Sequence, residues 1–252
     1  MQKFINDEID VSIALTESLL AGIAKNNTSY KFIGTYIQSP LNWAVITGVN
    51  SKYNSLDEVE GTKFGISRKG SGSEVMANVM SLEKGWKKSL DFQINDSFQN
   101  LRQSVNDGST SCFMWEWFTT LPYVKSGEVK FIGNQLTPWP SWSIVSKPQI
   151  ESEKLTKFLN DLDNAVRSFD NSRTNGDAAN YVSKTFNYDI NDVNEWLKGV
   201  TYSQSHLNVV DSKVLIKTLD ILAKANVISK PSSNNDQWNL NDFVNNNVAK
   251  LI

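Results

Sequence analysis

The sequence predicts an α/β protein built from two similar lobes, and three observations carry that expectation. Short apolar strands alternate with helical stretches up to Ser146, helices alone follow, and part of the N-terminal stretch recurs 99 residues later. The recurrence is Lys31-Phe32-Ile33-Gly34 against Lys130-Phe131-Ile132-Gly133, and at the same offset Ser12 falls on Ser111, Glu17 on Glu116 and Trp43 on Trp142. These are seven identities between Ser12 and Trp43, against the roughly two expected of unrelated segments. A period this long suggests two lobes on one plan rather than a solenoid.

Each copy reads alike. A strand over 9–15 runs into Thr16-Glu17, and one over 111–115 runs into Glu116. A helix follows in each copy, then the strand with the repeated tetrapeptide. Next comes a proline-marked segment, Gln38-Ser39-Pro40-Leu41-Asn42-Trp43 or Thr137-Pro138-Trp139-Pro140-Ser141-Trp142. Extended chain with proline at the turn suits a crossing between lobes. The β-branched runs 44–47 and 143–146 follow these segments. Between the copies lie a strand over 62–67, a helix over 74–85 with a C-cap glycine, a strand over 90–94 and a helix over 97–105. Helices are expected over 153–169 (capped by Ser152), after Asn175-Gly176, near 192–197, over 213–225 (capped by Asp211) and over 240–251. The lobes are therefore expected as 1–42 plus 146–252, and 48–140, with hinges near 40–47 and 139–146.

Composition excludes much chemistry. A net charge of −2 gives no basic field for nucleic acid, and no apolar run is long enough for a membrane span. One cysteine, Cys112, and one histidine, His206, leave no disulfide framework, thiolate cluster or multi-histidine metal site. The expected reading therefore has no cofactor, no metal and no catalytic residue. The first residues are polar and carry no secretory pattern, so a cytoplasmic location is expected for the chain as it stands.

Three features remain as candidates for binding. Arg68-Lys69-Gly70-Ser71-Gly72-Ser73 joins a strand to a helix. Glycines let backbone amides approach a ligand, the helix start offers free N–H groups, and Ser71 and Ser73 add hydroxyls. The plainer reading is a tight turn whose Ser71 closes a capping box with Glu74. No nucleotide motif is present. Glu17 and Glu116 sit at strand ends, where open α/β sheets place ligands, although an ordinary surface glutamate is the plainer reading of either. Trp115 and Trp139 read either as core or as a stacking wall for a planar ligand. Ser39 joins these as a crossing residue.

At these residues a family resemblance is visible. The order strand-Thr-Glu, crossing, Gly-x-Lys-Phe-Gly-Ile-Ser-Arg-x-Gly-Ser-Gly-Ser-helix-Gly-Trp, strand-Met-Trp-Glu, Thr-Pro-Trp-Pro-Ser-Trp and C-terminal helices resembles the type II periplasmic-binding-protein fold. More narrowly it resembles the nitrate, sulfonate and taurine substrate-binding proteins and their fungal relatives, which include the thiamine-pyrimidine synthases. It is most similar to an intracellular fungal branch. The resemblance covers nearly the whole chain and is most specific over Gly61–Trp86 and Met114–Trp142. It implies a two-lobed fold with two crossovers and a helical C-terminal flank, whose cleft is lined here by Ser71, Gly72, Ser73, Glu17, Trp115 and Glu116. Thiamine-pyrimidine synthases use a cysteine-rich iron site and a consumed histidine, which this composition does not supply.

The expected function is a small-molecule binder for an anionic or heterocyclic ligand, of sulfonate or aminopyrimidine type. The alternatives are a thiamine-precursor synthase or a ligand-free sensor or scaffold. The expected partner is that small molecule, not nucleic acid, and the oligomeric state stays open. One further expectation follows from the repeat. The second copy is preceded by a strand-helix-strand-helix stretch and the first by only eight residues. An N-terminal βαβ unit is thus expected to be missing, or else the first lobe closes without it and leaves an apolar slot beside Val11 and Ile13.

Overall fold

A computed structural model of the chain describes residues 2–231 and 237–252. The chain opens with one helical turn, α1 (Gln2–Ile5), whose Phe4 is buried with its ring 5.4 Å from that of Tyr30. β1 (Val11–Leu15) runs straight into α2 (Thr16–Ala24), and β2 (Lys31–Ile37) and β3 (Asn42–Gly48) follow on either side of Pro40. After a 3-10 turn at Leu56–Val59 come β4 (Lys63–Ile66), α3 (Gly72–Glu83), β5 (Asp91–Ile94) and α4 (Phe98–Asn106). β6 (Cys112–Glu116), α5 (Trp117–Lys125), β7 (Val129–Leu136) and β8 (Trp142–Ser146) complete the strand-rich part. The remainder is α6 (Ser152–Asn171), α7 (Asp177–Phe186), α8 (Ile190–Gly199), β9 (Val209–Val210), α9 (Ser212–Lys224), α10 (Leu240–Phe243) and β10 (Lys250–Leu251). Among the described residues no helix is long and apolar enough to cross a membrane.

The chain divides into two units. Met1–Ser39, Trp139–Lys217 and Ser233–Ile252 form the first, and Pro40–Pro138 with Thr218–Ser232 forms the second. The first contains a sheet of order β1-β8-β2, and the second a sheet of order β5-β4-β6-β3-β7. In each sheet one strand comes from the other copy of the repeat. β8 follows the second copy yet lies antiparallel between β1 and β2, and β3 follows the first copy yet lies antiparallel between β6 and β7. The segments 40–47 and 139–146, expected as hinges, are therefore largely central strands. Their apolar residues account for this: Ala44, Val45, Ile46, Ile144 and Val145 are consecutive along their strands and have no exposed surface, as expected of strands covered on both faces.

Packing in the first unit gathers Ile33, Ile144, Leu155, Leu159, Val166 and Leu207, so α6 lies on the sheet. Val11 and Ile13, beside the expected slot, are partly buried against this cluster. In the second unit Ala44, Ile46 and Phe113 pack against Leu101 and Val105 of α4. The repeated tetrapeptide ends in a glycine because both copies bulge there. A Cβ on Gly34 would lie 1.9 Å from the Leu207 carbonyl oxygen, and one on Gly133, whose φ is +155°, would lie 2.6 Å from the Leu56 side chain. The pairing registers of β2 and β7 shift at these positions.

The structure corrects three details of the sequence reading. β1 and α2 correspond to β6 and α5 at an offset of 101 rather than 99. The loop after α5 is shorter than the loop after α2, which returns the later strands to the sequence offset. Glu116 is thus the counterpart of Leu15, each standing at the N-cap of the following helix, and Glu17 lies two residues further along, in the first turn of α2. Ser152 is the first residue of α6 rather than its cap, since Glu151 takes that place without a side-chain bond. The expected helix over 240–251 is the single turn α10 followed by β10, which pairs parallel to β9. Asn245, Asn246 and Asn247 explain the break, because asparagine favours turns over helix interiors. The Asn245 amide donates instead to the Phe32 carbonyl.

Candidate functional site

In the second unit, β4 ends at Ile66 and the chain turns through Gly70, at φ +71°, into α3. Ser71 and Ser73 are each 2% exposed, and Gly72 between them is buried. Their hydroxyls lie 2.9 Å apart, and the Ser67 amide donates to Ser73 Oγ at 3.4 Å. Ser71 caps the helix by accepting from the Glu74 amide. The capping box expected from the sequence is displaced by one residue, because the Glu74 carboxylate accepts from the Gly70 amide. Two enclosed hydroxyls thus stand at the positive end of a twelve-residue helix. The Glu74 carboxylate already occupies the outer amide.

The other predicted residues of this unit lie on opposite faces of β6, as alternation along a strand requires. The Trp115 ring stacks on Phe98 at 5.0 Å and joins the cluster around Phe113. Packing therefore occupies one face of the half-buried Trp115 ring. Glu116 caps α5. Its carboxylate accepts from the Phe118 amide at 3.1 Å, the Thr119 amide at 2.6 Å and the Thr119 hydroxyl at 2.7 Å. Trp43, opposite Glu116 in the register, is 4% exposed, and its indole N–H has no protein partner. The sequence offered Trp43 as one tryptophan among several, with nothing to mark its unmet donor.

In the first unit the structure brings Glu17 and Trp139 together. The Trp139 indole donates to Glu17 Oε2 at 2.8 Å, and both residues are buried. Burial raises the Glu17 carboxyl from its ordinary value to about 7, against the lowering effects of its backbone and Trp139 bonds. Thr16 beside it shares a 2.8 Å hydrogen bond with Ser143. Ser39 closes the crossing: its carbonyl accepts from the Ser141 amide and hydroxyl, and its own hydroxyl accepts from the Thr201 amide. Two surface depressions contain none of the predicted residues. One of about 350 Å³ lies along α4 beside Gln93, Asn95 and Asp107, and one of about 620 Å³ lies beside Phe4, Lys25 and Lys147.

Comparison with known proteins now places the chain. The family model described as Ca3427-like PBP matches residues 43–135, a stretch within the second unit. The solved structure of the Candida albicans CA3427 gene product is 31% identical. It aligns over 99% of this chain and 81% of that one with a TM-score of 0.87. The chain belongs to the Ca3427-like family. That Candida protein is described as defining a family with the generic periplasmic-binding-protein fold. The resemblance drawn from the sequence, to that fold and to a fungal branch of it, is thereby shown, and so is the α/β fold class. The alkanesulfonate-binding protein SsuA from Xanthomonas axonopodis pv. citri, bound to MOPS, shares the fold at 11% identity, with a TM-score of 0.73 over 100% of this chain and 83% of that one. The aliphatic sulphonate binding protein SsuA of Escherichia coli does so at 14%, with a TM-score of 0.64 over 94% and 78%. Comparison with curated protein sequences gives no match. The chain is thus a Ca3427-like protein with the periplasmic-binding-protein fold.

Proposed function

We propose that this Ca3427-like protein binds a small organic anion, with the charged head group at the N-terminus of α3. The observation that carries this reading is the pair of buried hydroxyls, Ser71 and Ser73, set 2.9 Å apart at the start of the helix. Buried hydroxyls at a helix N-terminus favour an acceptor with negative charge. The sulfonate ligands of similarly folded proteins put sulfonates first among the candidates, followed by carboxylates and aminopyrimidines. The reading is of a binder rather than an enzyme. Burial pushes the Cys112 thiol well above its ordinary value, which removes the thiolate a nucleophile needs, and the His206 side chain is 75% exposed, with Nδ1 3.7 Å from Asp163.

The test is a thermal-shift panel of ethanesulfonate, acetate and 4-aminopyrimidine, followed by calorimetry on any hit. A ligand at a hundred times its Kd stabilises the protein by about 2.7 kcal/mol. Ethanesulfonate is expected to raise Tm, and the Ser71→Ala/Ser73→Ala double variant is expected to weaken its binding at least tenfold. Loss of the two buried hydroxyls costs the empty protein about 1–2 kcal/mol. No stabilisation by any of the three compounds, or undiminished binding by the double variant, overturns the assignment.

A further inference from the structure

Glu17 is the most anomalous polar group among the described residues. It has no exposed surface, Trp139 holds one carboxylate oxygen, and Oε1 has no protein partner. Trp139 is the first residue of the chain after its return from the second unit, three residues before β8. The segment behind it is tied down at two further points. The Thr16 amide donates to the Ser141 carbonyl, and the Ser141 amide and hydroxyl donate to the Ser39 carbonyl. Glu17, Trp139 and Ser141 therefore join the start of α2 to the crossing segment.

We propose that Glu17 is a proton-dependent positioning residue: as a neutral acid it holds Trp139 and the crossing segment against α2, and loss of its proton loosens that hold. The reason is electrostatic. A carboxylic acid with one unmet oxygen is tolerated in an apolar enclosure, whereas a carboxylate there lacks water and any cation. The surroundings supply no countercharge. β1 and β8, which pack on α2, carry no charged residue within their spans. At their far ends Asp10 and Lys147 pair with each other, and Lys147 also pairs with Asp7. α10, also against α2, carries Asp242, α2 itself ends beside Lys25, and the Tyr30 hydroxyl donates to the Leu19 carbonyl. No charged group is among the causes of the raised Glu17 value, which are burial, its backbone bond and Trp139. Parting of the segment from α2 lets water reach Oε1 and returns the acid to its ordinary strength.

Linkage fixes the direction. The held state binds the Glu17 proton up to about pH 7, while the loosened state releases it near the ordinary 4.5. Loosening therefore becomes about tenfold easier per pH unit across that window and levels off above it. Hydrogen exchange of the Thr16 and Ser141 amides, corrected for intrinsic rates, is expected to lose roughly fortyfold of protection between pH 5 and pH 7. Glu17→Gln, a neutral isostere, is expected to show a flat profile. Carbon-detected NMR of the glutamate carboxyls in the unaltered protein provides a readout that needs no variant, with one resonance expected to titrate near 7. Flat protection in the unaltered protein, the same slope in Glu17→Gln, or all glutamates titrating below 5.5 overturns the proposal. None of these readouts needs a ligand, so they succeed or fail apart from the binding test above.

Discussion

Gly34 and Gly133 end the repeated tetrapeptide, and each lies where a neighbour crosses its strand too closely for a side chain. At Gly34 that neighbour is backbone, the Leu207 carbonyl, which also accepts from the Thr35 amide. Gly34→Ala must push this carbonyl away and is expected to cost roughly 1–3 kcal/mol. Urea denaturation measures it, and a loss below 0.5 kcal/mol, on the order of an ordinary surface change, would show that the loop yields freely. Glu17 makes the opposite kind of demand, tolerating burial only with its proton on. Its folded value near 7 against the ordinary 4.5 gives stability that is full below pH 4.5 and lost as pH rises to about 7. The loss amounts to about 3 kcal/mol. Glu17→Gln is expected to remove this slope, so that the variant overtakes the unaltered protein at pH 8. Parallel curves for the two proteins would contradict it. Single residues were legible from sequence as types rather than roles: the repeat marked Glu17 and Glu116 as a pair, but the two elements around them correspond at an offset two residues longer, so the glutamates stand at different positions of their helices.

Helix ends show the same limit one level up. Asp211 and Ser97 cap α9 and α4 as their sequences require, because a short polar side chain before an apolar periodic run has few other uses. Glu116 caps α5 with three hydrogen bonds, a use that no short-range pattern announced. Glu116→Ala is expected to lower stability by about 1–2 kcal/mol. Calorimetry of the empty protein decides the matter, and unchanged Tm would return Glu116 to the pool of ligand candidates. Trp115 belongs at this scale too, since the position of α4 decides that its ring meets Phe98.

For the whole molecule, the exchange of β3 and β8 sets the order of assembly. All five strands of the second unit lie within one continuous stretch, Pro40–Pro138, whereas the first unit must join β1 and β2 to β8 across that stretch. Closing a longer loop costs more chain entropy before any contact repays it. In refolding followed by pulsed hydrogen exchange, amides of β3, β6 and β7 are expected to gain protection before those of β1 and β8. The reverse order, or simultaneous protection, would show that the first unit does not wait for the second. Helix and strand order up to β8, the two-copy plan and the family were written in the sequence, because periodicity, turn residues and a specific serine-glycine loop are local signals. Which strand enters which sheet, which carboxylate is enclosed and which tryptophan is spent on packing were decided only by tertiary structure. Those outcomes depend on what lies across a sheet or beyond a loop, and residues distant in sequence set them.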